Sequence, residues 1–351
     1  MGLTRAGQPR RPRCPKVIKF GSDFSGLDAA AVALKRMKVN YSMEFACDND
    51  ASSQKVLQSI HKPKKLFQNI VDRTTADETY VDVYTWTPPC QDLSSAGKQR
   101  GIKGPKQTGL LMTRSLRYIK DNLPRVTVFE NVPTVATQKK FSFMINGIIK
   151  CQEKLGYKVY HAILNSKDFG IPQDRRKLFI VGIKASAMKH PFNWPQPRLP
   201  TPSVNQILDP WKPTDKAGRL PPSEGGRQRC MDAFKTCFAS GRDPRAIPVL
   251  VDIDCSEKYS TFGIDEAKTI TRTRGGSGGP WISTRGRRTT LNEMLKLQGF
   301  KHEDCPWDAM KISARQTGQL IGNAITVHTM GCILQEAMWS AGLIQTKPSF
   351  F

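Results

Sequence analysis

Two short stretches of this 351-residue chain carry the side chains best suited to covalent chemistry. In TPPCQDLS, Cys90 directly follows Pro88 and Pro89. Consecutive prolines pin the backbone and hold a thiol in one direction. The segment after it, SSAGKQRGIKGPKQTG, has four glycines and the cations Lys98, Arg100, Lys103 and Lys106, with no acid. A flexible basic loop lowers the pKa of a neighbouring thiol and can close over a phosphate backbone. A cysteine taken alone is more often a buried core residue. Here the prolines and the basic loop favour a nucleophile. The second stretch, VTVFENVPTV, is an apolar strand that delivers Glu130 and Asn131 to its carboxyl end. In apolar surroundings a carboxyl has a raised pKa and can donate a proton. Asn131 would orient it or tie the adjacent backbone. The competing reading of Glu130 is a surface or capping acid.

Something must hold these groups together, and the chain supplies an alternating pattern. VIKF reads as a short strand ending at Gly21, followed by the turn SDFSG and the alanine-rich helix LDAAAVALKRM. YSMEFACD is a second strand, and NDASSQKVLQSI a helix. VDVYTWTPPC and VTVFENV are further strands, with a helix near residues 110–121 between them. GIIKCQEKLGY, KVYHAILNSKDFG and KLFIVGIK continue the alternation. This is the opening of a doubly wound, mostly parallel α/β sheet. Gly26 lets a ligand approach the first turn closely, although such a turn is equally well purely structural. Asp48, ending the second strand, takes the ribose hydroxyls of an adenosine or else caps the next helix. No full G-x-G-x-x-G is present, which argues against a pyrophosphate cofactor such as NAD.

After about Ala185 the character shifts. Residues 191–222 hold nine prolines and two tryptophans with little periodicity, and 272–288 read RTRGGSGGPWISTRGRR. Patterning resumes at TLNEMLKLQGF and ISARQTGQLIGNAITVHTMGCILQEAMW. The expected organisation is a basic arm at 1–16, a large domain at 17–184, an inserted smaller domain at 185–286, and a C-terminal return at 287–351. The arm has no acid and three prolines; it touches phosphate, targets the protein, or is a solvated tail.

Composition narrows the partners. The formal net charge of +24 suits a polyanion held by counterion release. An anionic membrane is disfavoured, since no amphipathic Lys/Arg-Trp segment is present and no apolar run reaches about 20 residues. The nine cysteines are odd in number and contain no C-x-x-C pair, which disfavours a disulfide framework or zinc cage and fits a reducing, intracellular compartment.

Together the blocks DFSG, TPPCQDLS, FENV, QDRRKLFIVG, TTLNEMLKLQGF and QLIGNAI resemble the cytosine-C5 DNA methyltransferase family, over roughly residues 18–183 and 285–335. The resemblance implies a class I methyltransferase (Rossmann-like) fold, S-adenosylmethionine as cofactor and double-stranded DNA as partner. It assigns Cys90 as the nucleophile at cytosine C6 and Glu130 as the acid at N3. Arg175 and Lys177 resemble the paired cations that hold the base and the site. Phe24 and Gly26 resemble the cofactor turn, Asp48 the ribose acid, and Asp72 the acid reading the adenine amine. Asn323 in GNA resembles the asparagine supporting the site. The inserted region would read the target, the cytosine flipping out of the duplex for the chemistry.

Three residues depart from the family pattern. Asp28 stands where the turn usually has a glycine, so its carboxylate must cap the next helix or point away from the cofactor's acidic end. Leu93 replaces a phenylalanine. Lys177 replaces a second arginine, keeping the charge while losing the two-pronged geometry. In an extended segment residues 175 and 177 share a face and Arg176 points the other way. Region 185–286 has 15 Lys/Arg against 10 Asp/Glu. Its late arginines, Arg272, Arg274 and Arg285, run into Arg287 and Arg288 and suit guanine edges or phosphates. The intervening GGSGG lets backbone come close to DNA or is a flexible solvent loop. The expected state on DNA is a monomer, in nucleus or cytoplasm. A transfer-RNA methyltransferase and an inactive DNA-binding scaffold of the same fold are the rival readings; the family's cysteine-phenylalanine-threonine signature for transfer RNA is not found.

Overall fold

The computed structural model describes residues 17–74, 77, 79–89, 108–198, 200–256 and 261–348. Its first half alternates as expected: β1 (Ile18–Asp23), α1 (Ala29–Arg36), β2 (Tyr41–Cys47), α2 (Ala51–Val56, running into a π turn to His61) and β3 (Lys65–Phe67). β4 (Val83–Trp86), α3 (Thr108–Asn122), β5 (Val126–Asn131), α4 (Thr134–Thr137) and α5 (Ser142–Lys154) follow. β6 (Tyr157–Asn165), β7 (Gln173–Asp174) and β8 (Arg176–Lys184) complete this part. Seven strands form one sheet in the order β3-β2-β1-β4-β5-β8-β6. β3 to β5 pair in parallel, and only β8 runs against its neighbours. The strand order reverses beside β1, so the carboxyl ends of β1 and β4 flank a crevice, where open α/β sheets bind ligands.

Period-2 alternation sorts the core onto two faces. Val126 and Val128 of β5, with Phe179, Val181 and Ile183 of β8, pack on one side against α1 and the C-terminal helices. Phe129, Leu178 and Ile180 turn to the other side, against Tyr118 of α3 and Ile145 and Ile148 of α5. Gly21 has a steric reason: a Cβ there would sit 2.5 Å from the Phe45 ring. β1 therefore runs on through Gly21 to Asp23, two residues beyond the end read from sequence.

Among the described residues of 191–222, the helical element is a short 3₁₀ turn at Val204–Gln206, and Arg198 makes an isolated bridge to Phe169. Then come α6 (Glu224–Ala239), β9 (Val249–Val251), β10 (Phe262–Ile264), β11 (Ala267–Lys268), α7 (Arg272–Gly276), β12 (Trp281–Ile282) and β13 (Arg287–Arg288). A small antiparallel sheet, β10-β9-β12-β13, carries α6 over a core of Cys230, Ala233, Cys237, Val249, Val251 and Trp281. This sheet ends at Arg288, just past the expected boundary at 286. β11 pairs with β7, stitching the insert to the large domain. The chain returns through α8 (Leu291–Leu297), α9 (Ala314–Asn323) and α10 (Val327–Ser340), and α10 packs on α1. Among the described residues, no helix is long and apolar enough to cross a membrane.

The stretch RTRGGSGG is not a solvent loop. Its first half is α7, which crosses α9 at backbone contact: a Cβ on Gly275 would lie 1.9 Å from the Gly318 carbonyl oxygen, and one on Gly318 2.0 Å from that of Gly275. These glycines serve helix-on-helix approach within the protein.

Candidate active site

The turn after β1 places three residues in the left-handed region: Phe24 (φ 60°), Gly26 (φ 56°) and Asp28 (φ 51°). For a bulky aromatic this conformation is strained, and such strain gathers at ligand sites. Thr87 helps hold it, donating from Oγ1 to the Phe24 carbonyl at 2.9 Å. Beneath the turn, buried Asp23 accepts both ends of the Arg73 guanidinium, at 2.7 and 2.9 Å, and the Tyr84 hydroxyl. Asp28 is 4% exposed. Its carboxylate accepts from Ala31 N–H at 2.9 Å and from Ser22 Oγ at 2.5 Å. It therefore caps α1, one of the two orientations open to a carboxylate at a glycine position. Burial pushes its pKa up, although nearby His61 and the Ser22 bond oppose the shift.

Asp48, just past β2, stands beside that turn. Gly26 N–H donates to its Oδ2 at 2.8 Å and Asp50 N–H to its Oδ1 at 2.9 Å. The helix N-cap is Asp50 instead, accepting from Ser52 and Ser53 N–H. Burial raises the Asp48 pKa against those backbone bonds. A carboxylate has about four acceptor sites, so capacity remains for a ligand's hydroxyls.

β4 is followed by Thr87, Pro88 and Pro89, and Asn131 ties that corner by donating from Nδ2 to the Pro88 carbonyl at 3.1 Å. Asn131 thus holds the backbone ahead of Cys90. Cys90, Lys98, Arg100 and Lys103 lie outside the described residues. On the neighbouring strand Glu130 faces inward, 6% exposed. The β5–β8 register sets Asn131 opposite Leu178, so Lys177 comes one residue beyond and reaches Glu130 Oε1 with its Nζ at 2.6 Å.

These elements enclose a cavity of about 380 Å³. Phe24, Gly26, Asp28, Asp48, Pro88, Pro89, Glu130, Lys177, Arg272 and Asn323 all line it. Seven residues expected from sequence to carry the site, namely Phe24, Gly26, Asp48, Glu130, Lys177, Arg272 and Asn323, are thereby brought together. The volume lies in the range of ligand pockets.

Other expectations meet different surroundings. Asp72 is exposed and does not line the cavity; its N–H caps a turn on the Asn69 carbonyl. Arg175 faces inward like Lys177, with Arg176 exposed, but it is buried and does not line the cavity. Its guanidinium donates to the carbonyls of Ile270, Gly322 and Ala324, tying β8 to the insert and to the end of α9. It positions the site's walls. The arginines expected on DNA are largely spent within the protein. Arg274 pairs with Asp252 at 2.6 Å, and Arg285 with Asp215 at 3.7 Å beneath the Trp211 ring. Arg287 pairs with both Asp215 and Glu293, whose side chains are fully buried. Arg272 turns toward the cavity and reaches Asp50 and Gln319. Asp50 and the Asp23–Arg73–Tyr84 cluster escaped the sequence reading. Asp50 had a signal, the acid before SS at a helix start; Arg73, fifty residues from Asp23, had none.

The family model for C-5 cytosine-specific DNA methylases matches residues 18–339. The chain belongs to that family. Among its relatives, the type II methyltransferase M.HaeII of Haemophilus aegyptius is 28% identical over 312 residues, covering 86% of this chain and 90% of that one. M.FnuDI of Fusobacterium nucleatum is 30% identical over 180 residues, 51% of each chain. For M.FnuDI and M.NlaIV of Neisseria lactamica, the match spans about half of the relative's own length. The structure of the Entamoeba histolytica methyltransferase EhMeth superposes with a TM-score of 0.63 at 16% identity, over 92% of this chain and 98% of that one. The S. pombe Dnmt2 methyltransferase gives 0.62 at 15%, over the same shares. At such identities the likeness is one of fold, and the fold is that of a class I methyltransferase. Asp28 and Lys177, two of the departures read from the sequence, both line the cavity.

Proposed function

We propose that the protein transfers a methyl group from S-adenosylmethionine to C5 of cytosine in double-stranded DNA. The observation that carries this reading is Glu130, an inward carboxyl set against Lys177, in one cavity with the β1 turn and with the Pro88–Pro89 corner that leads to Cys90. The residues fit the cofactor. Asp48 keeps acceptor capacity for ribose hydroxyls, and the strained Phe24–Gly26 turn lets a nucleoside lie close. S-adenosylmethionine supplies an electrophilic methyl group on a sulfonium.

Cytosine C5 is a poor nucleophile. The Cys90 thiolate adds to C6, the ring's electron pair moves toward N3, and Glu130 as its acid delivers a proton there. C5 then carries enamine reactivity and takes the methyl, the electron pair of the broken methyl–sulfonium bond staying on sulfur. Loss of the C5 proton to water expels the thiolate, and return of the N3 proton to Glu130 restores the ring. Glu130 must be protonated for this, so the Lys177 ammonium shifts from the carboxyl to the base oxygen as the base enters. Lys98, Arg100 and Lys103 close over the phosphates of a flipped nucleotide, and the inserted domain reads the surrounding sequence. The protein works as a monomer on DNA inside the cell.

The test is transfer of labelled methyl from S-adenosylmethionine to mixed-sequence unmethylated duplex, beside transfer RNA and a Cys90→Ser control. We expect label at cytosine C5 of DNA, reduced by about 10⁴-fold or more in Cys90→Ser, as for loss of a nucleophile. Label confined to RNA, or transfer that survives the substitution, overturns the reading.

A further inference from the structure

We propose that Arg272, from the inserted domain, is the anchor for the carboxylate of the cofactor's amino-acid tail. The inference rests on the cofactor reading above and adds a residue to it. An amino-acid tail brings a negative carboxylate into a wall already lined by Asp28, Asp48, Asp50 and Glu130. A helix N-terminus commonly meets such an anion. Here that place is filled: the Asp28 carboxylate already takes Ala31 N–H at the start of α1. A second anion there would face a buried carboxylate.

A side-chain cation is then required, and the described residues lining the cavity include two, Lys177 and Arg272. Lys177 is committed to Glu130, 2.6 Å away. Arg272 is loosely held. A single nitrogen, Nη2, reaches Asp50 Oδ2 and Gln319 Oε1, both at 3.3 Å. Its Nε and Nη1 make no hydrogen bond among the described residues, and its side chain is 36% exposed. A guanidinium with an open edge takes a carboxylate in a two-pronged bond.

The backbone fixes where that edge sits. Arg272 begins α7, and α7 meets α9 so closely that a Cβ on Gly322 would lie 2.7 Å from Arg272 N. Asn323, the next residue, lines the same cavity. Arg272 and Asn323 therefore form one corner of the wall. A tail carboxylate at this corner replaces Asp50 on the guanidinium, so Asp50 competes with the tail for Arg272.

The experiment is calorimetric binding of S-adenosylhomocysteine, which has the amino-acid tail, and of 5′-methylthioadenosine, which lacks it, to the full chain. Wild type binding S-adenosylhomocysteine upholds the cofactor reading by itself; failure to bind either ligand overturns that reading and this one with it. In Arg272→Gln we expect S-adenosylhomocysteine to weaken by about tenfold or more, as for a lost charge-assisted bond, with 5′-methylthioadenosine unchanged. In Asp50→Asn, which keeps the helix cap, S-adenosylhomocysteine should tighten while the tail-less ligand does not. Equal loss for both ligands in Arg272→Gln, or no loss for either, overturns the assignment of Arg272 and leaves the cofactor reading standing.

Discussion

At the scale of single residues, two of the three departures from the family pattern, Asp28 and Lys177, have distinct consequences. Asp28 occupies a left-handed position where a glycine is expected, and it settles there because Asp tolerates that conformation and caps α1 in the same stroke. Its neighbours, not its own type, decided which way the carboxylate turned: Ser22 and Ala31 N–H offer bonds on the side away from solvent. Lys177 keeps the ion pair to Glu130 that an arginine could also make. Its compact ammonium makes a point contact where guanidinium would make two. For Lys177→Arg we expect turnover within roughly an order of magnitude of wild type and a lower KM for DNA, the added prong binding the base oxygen in ground and transition state alike. Steady-state methyl transfer on one duplex checks this; a large fall in turnover at unchanged KM would show that the lysine is needed as a lysine.

At the scale of elements, the late arginines show why charge in a sequence does not announce its partner. Arg287 sits on β13 and points back at Asp215 and Glu293. Glu293 also caps α8 by a capping box with Thr290. The arginine thus joins the small sheet to the first turn of the returning helix. Removing it leaves two buried carboxylates short of a partner, a loss of about 3 kcal/mol by comparison with other broken buried pairs. Arg287→Ala should therefore lower the denaturation midpoint markedly while leaving the salt dependence of DNA binding unchanged. Unaltered stability with a shallower salt slope would instead make Arg287 a phosphate contact. α6 was absent from the sequence reading for a physical reason. Gly225 and Gly226 weaken its first turn, and its buried face is narrow: Cys230, Ala233 and Cys237 against β9. Tertiary burial outweighs its weak local signal.

At the scale of the whole molecule, the C-terminal return of the chain is coupled to the first helix. Arg36 on α1 donates to the Gly299 carbonyl and to Asp304, and α10 lies on α1. His328 on α10 is half-buried at this junction, and its desolvation, with the Arg36 and Arg198 charges, lowers its pKa to about 4. Between that value and the unfolded value near 6.5 the unfolded chain binds more protons. Stability from a neutral His328 is thus full above about pH 6.5 and is lost as pH falls toward 4, by up to about 3 kcal/mol. Denaturant melts from pH 7 to pH 4 should show that loss, and His328→Gln should flatten it. An unchanged slope in the variant would place the acid sensitivity elsewhere.

The sequence by itself determined the alternating α/β order, the strand ends that carry Asp48 and Glu130, and the family, because these depend on local periodicity and on short contiguous blocks. It also determined that Arg175 and Lys177 share a face, since that follows from extended backbone alone. Only the tertiary structure decided that Arg175 braces three carbonyls, that RTRGG folds onto α9, and that Arg287 pairs with two buried carboxylates. Each of those outcomes depends on a partner distant in sequence: Gly322 and Ala324 for Arg175, Gly318 for Gly275, Glu293 and Asp215 for Arg287. A charge or a glycine states what a residue can do, and the nearest unsatisfied group in the folded chain settles what it does.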